Sequence, residues 1–409
     1  ERINFIKDAL VIIATPQTIQ KDLENSRINL KDFSMLCIDE AHRSRENFAN
    51  THVTKFYLEQ SSNRRILALT ASPGGTSEKI REIMQNLNLE AVEIRSEQDK
   101  DIRQYIQKRE VEWIEVNLQK ELINLRDLIK KIYLERAKQL HNLGFTKPVN
   151  LIGKKDLLML QQKFRNELNK GNHSAFHGIS LVAQLIKIDY AVELIEVQSL
   201  SSLLKYFEKL KQDQSKAASV LLRLKEFQEI VALAKKLYEN KVEHPKFDKL
   251  KELVLNEINI NKEIKIMIFA NYRDTVEDIY NNLTKNNIKC IKLIGQKSGL
   301  TQKEQINVIK NFQEQDYSVL ICTSIGEEGL DIVGANIVIF YEAVPSEIRR
   351  IQRVGRVARI IAGKIIFLIT KDTRDEAYFW SSYQKEKKMK KTLYDLKDKN
   401  IGEFLKEDG

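Results

Sequence analysis

Runs of apolar residues and apolar stripes at helical spacing divide the chain into three stretches. Up to about residue 116, Ala9–Thr15 (ALVIIAT), Met35–Asp39 (MLCID) and Arg65–Ser72 (RILALTAS) are near-continuous apolar runs. Such runs predict strands buried on both faces, as in a parallel sheet covered by helices. After Gly74-Gly75, the segment SEKIREIMQNLN reads as a helix with Ser77 as its cap. From 117 to 240 strand-like runs are scarce and no proline falls between Pro148 and Pro245, while Leu181, Leu185, Ile188, Val192 and Ile195 recur at four- and three-residue spacing. That is the stripe of an amphipathic helix, and it predicts an all-helical domain interrupted at Gly171–Gly178. From 241 to 409, Ile264–Ala270, Lys289–Gly295, Tyr317–Thr323, Asn336–Tyr341 and Lys364–Thr370 are five strand candidates, most of them separated by helical segments. The alternation predicts a second parallel sheet built from βαβ units, followed by a basic helical tail.

Composition narrows the class only slightly. The 409 residues are 42% hydrophobic and 30% charged, with a formal net charge of +10. That basic excess permits a polyanionic partner, although lysines on solvated helix faces account for most such excesses. Cys37, Cys290 and Cys322 lie far apart with no CxxC pair, so buried reduced thiols are expected rather than a zinc site or a disulfide framework. No apolar stretch approaches membrane-spanning length, which predicts no membrane partner and a cytoplasmic location.

The first strand of the unit that carries chemistry ends in Asp39-Glu40-Ala41-His42. Ligands of open α/β sheets bind beyond the carboxyl ends of strands. There Asp39 can hold Mg2+ through water, Glu40 can orient and deprotonate an attacking water, and His42 can link the site to a neighbouring segment. A polar turn leaving the sheet is the plainer reading of the same four residues. The next run ends in Thr70-Ala71-Ser72, where Thr70 and Ser72 are either γ-phosphate sensors or ordinary turn residues. Ile351–Arg359 (IQRVGRVAR) has the pattern QxxGRxxR, with Gln352, Arg353, Arg356 and Arg359. On a helix the three arginines share roughly one face and could reach a nucleotide phosphate.

TPQ, DEAH, TAS, TSIGEEGLDI and QRVGRVAR stand in the order used by superfamily 2 helicases. The phrases NYRDT, YEAVPS and TRDEAYFWSSYQKEK, with HPKFDKLKE after the helical stretch, resemble the archaeal Hef and Fanconi-anaemia M-type fork-remodelling family. The resemblance implies two RecA-like α/β lobes, the first truncated at its N-terminal side (1–116) and the second at 241–409. A thumb-like helical insert (117–240) lies between them. It implies an ATP-dependent DNA helicase or translocase, using ATP and Mg2+, that acts on forked or branched DNA in repair, in an archaeal, nucleoid-associated setting.

By position, Thr15, Pro16 and Gln17 match nucleic-acid backbone contacts, as do Thr323 and Ser324, while Gly329 and Asp331 match nucleotide contacts, with a plain turn glycine before LDI as the alternative for Gly329. Asn271, Tyr272 and Arg273 match a motif that is either DNA-facing or structural. Gln352, Arg356 and Arg359 match the arginine-finger motif, although Ala358 stands where the family has glycine. No GxxxxGK[ST] phosphate loop and no nuclease segment occur in the 409 residues, so this stretch alone is expected to hydrolyse ATP negligibly. A nucleic-acid-binding remnant and an RNA helicase relative are the alternatives.

Overall fold

The computed structural model describes residues 9–71, 73–74, 76–95, 99–100, 110–295, 301–314, 317–323, 335–343 and 363–397. The chain divides into two compact units. One holds residues 1–106 with 345–355 and 380–409, the other 107–344 with 356–379.

In the first unit β1 (Leu36–Ile38) and β2 (Ile66–Ala68) pair in parallel. Ile38 and Ala41, with Leu36, Ile66 and Ala68, pack on Ile83 and Leu87 of the helix Ser77–Asn86 and the turn after it. Leu23 and Ile28 join Val53 and Tyr57 of the helix Ala49–Gln60 in a neighbouring cluster. Three expectations change here. Met35, Cys37, Leu67 and Leu69 alternate onto the opposite face of the pair and are exposed, so only one face is buried among the described residues and Cys37 is not a buried thiol. Ala9–Thr15 forms no strand among the described residues, and Leu10, Val11 and Ile13 are exposed; apolar content alone does not make a strand without a ladder partner. Ser77 is the first helical residue rather than the cap, because Ile80 N–H already bonds the Thr76 carbonyl at 3.3 Å.

In the second unit six strands run parallel in the order β3-β8-β7-β4-β6-β5. They are β3 (Glu110–Val116), β4 (Ile266–Phe269), β5 (Cys290–Leu293), β6 (Val319–Cys322), β7 (Ile337–Phe340) and β8 (Lys364–Thr370). Every residue of β4, β6 and β7 is buried, as central strands between helix layers require. Phe269, Phe340 and Phe367 sit in register on adjacent strands and stack at 5.3 and 4.8 Å. The sixth strand is a departure from the boundary expected at 116, since β3 precedes the insert in sequence but pairs along its length with β8. It is an edge strand, and Glu110, Glu112 and Glu115 give it the charge that edges carry.

Between β3 and β4 lies a bundle of helices: Lys120–His141, Lys154–Asn169, Ala175–Val197, Leu200–Gln212, Lys216–Arg223 and Lys225–Glu239. Ala175–Val197 is its axis. Leu181, Val182 and Leu185 enter one core with Leu157, Leu160 and Phe164, whereas Ile188, Val192 and Ile195 enter another with Leu125, Leu203 and Phe227. At Gly178 a Cβ would stand 2.8 Å from the Phe164 ring, so glycine permits the close approach of these two helices. No helix among the described residues is long and apolar enough to cross a membrane.

Candidate nucleotide site and the polar core of the second lobe

Because β1 and β2 are parallel with Ile38 opposite Ala68, their carboxyl ends deliver Asp39–His42 and Thr70 to one edge. Leu69 N–H donates to the Ile38 carbonyl and Ala41 N–H to the Leu69 carbonyl, both at 2.9 Å. Between them Glu40 adopts φ 50 and ψ 46. A left-handed non-glycine residue costs on the order of 1–2 kcal/mol, and such strain concentrates at functional positions. The Glu40 N–H folds back onto Asp39 Oδ1 at 2.8 Å. His42 Nδ1 lies 3.3 Å from Glu40 Oε2 and 3.1 Å from Thr70 Oγ1. The imidazole therefore joins the acid at one strand end to the hydroxyl at the next.

The loop after His42 is clamped by residues that the motif pattern does not show. Glu82 accepts from Arg45 Nε at 2.6 Å and from the Glu46 N–H at 3.0 Å, and the Arg45 guanidinium holds its carboxyl below the usual range. Asn86 donates to the Ser44 carbonyl and Asn50 to the Ser44 hydroxyl, each at 3.1 Å. Glu82 and Asn86 are four residues apart on one helix face, a spacing visible in the sequence without any hint of its partner.

Thr15 caps the helix Pro16–Glu24, its carbonyl accepting from Thr18 and Ile19 N–H, while Thr15 and Gln17 themselves are exposed. No cluster of three or more His, Cys, Asp or Glu able to hold a metal is found among the described residues. An exposed Asp39 carboxylate fits Mg2+, which keeps most of its waters and takes one or two carboxylates plus phosphate oxygens.

In the second lobe Thr323 follows β6, buried, its N–H on the Leu293 carbonyl at 3.2 Å. The Asn271 side chain donates to the Ala343 carbonyl at 3.4 Å, and the Tyr272 hydroxyl donates to Glu193 of the helical bundle at 2.8 Å. Burial beside Glu193 raises the Tyr272 pKa. Asn271 and Tyr272 are thus bonded within the protein, and Arg273 alone of the three is exposed. Ser72, Ser324, Gly329, Asp331, Gln352, Arg356 and Arg359 lie outside the described residues.

A buried polar core ties together four of the phrases that carried the resemblance. Lys246 Nζ donates to Asp375 at 2.5 Å and to the Tyr341 carbonyl at 2.6 Å. Asp375 also accepts from the Ala343 and Thr370 N–H groups. Beside them His244 accepts the Lys246 N–H on Nδ1 at 3.3 Å and lies 3.4 Å from the Glu196 carbonyl through Nε2. Glu342 accepts from Asn271 N–H and the Thr275 hydroxyl.

Burial holds the His244 pKa down to about 3 from 6.5, and it pushes that of Glu342 up to about 7 from 4.5. Unfolded His244 takes a proton below pH 6.5 and the folded residue does not until about 3, so its contribution is full above 6.5 and is lost on acidification. Folded Glu342 keeps its proton to about 7 while the unfolded residue loses it above 4.5, so its contribution is full below 4.5 and is lost as pH rises. The two oppose each other between 4.5 and 6.5. In thermal unfolding across that window, His244→Gln is expected to lose stability more steeply than the parent chain as pH rises. Matching profiles would contradict the assignment.

Three family models match in sequence. Residues 1–106 match the DEAD/DEAH box helicase model, 119–242 the helical bundle of a putative ATP-dependent RNA helicase, and 245–361 the helicase conserved C-terminal domain. The chain is 40% identical over 400 residues to the putative ATP-dependent RNA helicase MJ1505 of Methanocaldococcus jannaschii, covering 97% of this chain and 50% of that protein. It is 31% identical over 392 residues to the ATP-dependent DNA helicase mph1 of Neurospora crassa, covering 89% of this chain and 33% of the other. The crystal structure of the Pyrococcus furiosus Hef helicase domain superposes with a TM-score of 0.72 at 39% identity, covering 93% of this chain and 80% of that one. The chain therefore spans about half or less of the length of these two curated relatives.

Proposed function

The chain belongs to the Hef-type family of superfamily 2 helicases, and from that premise we propose that it is the motor of an ATP-dependent DNA helicase or translocase acting on forked or branched DNA in replication-fork repair. The observation that carries this reading is the His42 bridge from Glu40 to Thr70. A polar turn leaving a sheet needs no such link. A motor does, because the state of the phosphate at one strand end has to be felt at the next.

Asp39 would hold Mg2+ through water, and the bound ion would offset charge on the phosphates of ATP. Glu40 orients and deprotonates the attacking water, and its left-handed backbone fixes where the carboxylate stands. Thr70 and Ser72 respond to the γ-phosphate. Gly329 and Asp331 contact nucleotide, and Gln352, Arg356 and Arg359 supply the charge that stabilises phosphoryl transfer. Thr15, Pro16, Gln17, Arg273 and Ser324 meet the nucleic-acid backbone. The working parts are the first lobe, the helical insert and the second lobe, with β3 assigned to the last. These 409 residues contain no GxxxxGK[ST], so by themselves they bind nucleic acid and turn over ATP negligibly.

An RNA substrate is the second reading, favoured by the name of the Methanocaldococcus relative. Competition binding separates the two: forked DNA should displace a labelled fork at lower concentration than an RNA fork of equal length. The reverse order would transfer the assignment to RNA.

A further inference from the structure

Two non-glycine residues with left-handed backbones bracket the turn that follows β1: Glu40 at φ 50 and Glu46 at φ 49. Such residues are strained and persist only where their surroundings over-determine them. At the Glu46 end the surroundings are one helix, Ser77–Asn86. Glu82 on that helix takes the Glu46 N–H on Oε1 at 3.0 Å and Arg45 Nε on Oε2 at 2.6 Å. One turn further along the same face, Asn86 donates to the Ser44 carbonyl at 3.1 Å. Three consecutive residues, Ser44, Arg45 and Glu46, are therefore held by the helix. Its Ile83, with Leu87 just past its end, also packs on Ile38 and Ala41, so the helix bears on both sides of Glu40.

Stability does not account for the Arg45–Glu82 pair. The two side chains are 35% and 31% exposed, and ion pairs so open to water contribute little to folding. What the pair supplies is geometry, since both carboxylate oxygens are committed, one to a guanidinium and the other to the backbone of a strained residue. The path back to the acid is short. Ser44 N–H bonds the Ala41 carbonyl at 2.9 Å, and Arg43 N–H bonds the Glu40 carbonyl at 3.0 Å. A shift of Ser44–Glu46 thus reaches the Glu40 backbone through two hydrogen bonds.

We infer that Glu82 is a positioning residue for Glu40, fixing the loop from which the Glu40 carboxylate is aimed at the attacking water. The inference rests on the reading of Glu40 as general base. A misplacement of about 1 Å at a reacting group can cost on the order of 10²-fold in rate, so a contact of little weight in folding can have a large one in turnover.

The test is phosphate release by the full-length protein with saturating forked DNA, in Glu82→Ala and Glu82→Gln, each made alone and in a Glu40→Gln background. Glu82→Ala is expected to lower kcat about tenfold or more, with KM for ATP and Tm close to parental. Glu82→Gln keeps one carbonyl acceptor and should lose less; it also supplies the measurement if the alanine variant fails to fold. In the Glu40→Gln background neither substitution should lower the residual rate further, because a residue that acts through Glu40 has nothing left to position. A general structural defect would lower that rate as well. Parental kcat in folded Glu82 variants, or the same fractional loss in both backgrounds, would overturn the inference while leaving Glu40 as the base. Parental kcat in Glu40→Gln itself would overturn the reading of Glu40 and the inference with it.

Discussion

Replacing Lys246 by alanine is expected to destabilise the second lobe by about 3–5 kcal/mol, the cost of breaking a buried ion pair from one side. Lys246 and Asp375 side chains are both 0% exposed, and the ammonium also satisfies the Tyr341 carbonyl. Without it Asp375 keeps its two backbone N–H donors but faces a dry core with no counter-charge. The three joined segments are far apart in sequence: the exit from the helical insert, the end of β7 and the turn after β8. Lys249→Ala, three residues on and at the surface, should change stability by less than about 0.5 kcal/mol. Urea unfolding of both variants checks this, and equal midpoints for the two would contradict it.

The second large effect is on turnover. In the full-length protein, Glu40→Gln is expected to lower kcat for ATP hydrolysis by about 10² to 10⁴ with KM for ATP little changed, as loss of a general base used only in the chemical step should. Glutamine preserves size and the contact distance to His42, so the variant separates proton transfer from positioning. His42→Ala is expected to act differently. It leaves the base in place but severs the link to Thr70, so stimulation by DNA should fall more than basal turnover. Steady-state phosphate release with and without forked DNA reads both, and a Glu40→Gln enzyme with parental kcat would remove Glu40 from the chemistry.

Apolar runs alone located β4 through β8, all of which fall within the segments expected for them, and in β4, β6 and β7 every residue is buried. The helical stripe Leu181–Ile195 was equally plain because all five positions are buried. The failures have physical causes. Leu67 and Leu69 look like core residues, yet they alternate onto a face that no described helix covers. β3 is half polar because it is an edge strand, so its place in the second sheet is invisible until β8 is known. Tyr272 carries a motif position whose partner, Glu193, is 79 residues away in sequence, and no local pattern predicts that bond. The adjacency of Asp39–His42 and Thr70 was legible because parallel pairing brings consecutive strand ends together. Glu82 and Asn86, which hold that edge, were not, since a charged helix face reads as solvated until its partners are seen.

The central claim is that this family member couples ATP hydrolysis to branched DNA. It is tested most directly by the rate of phosphate release from the full-length protein with saturating forked DNA, linear duplex DNA or RNA at equal nucleotide concentration. The expected order is fork above linear duplex above RNA, with the fork stimulation abolished by Glu40→Gln. Stimulation by RNA above DNA, or turnover indifferent to every nucleic acid, would contradict it.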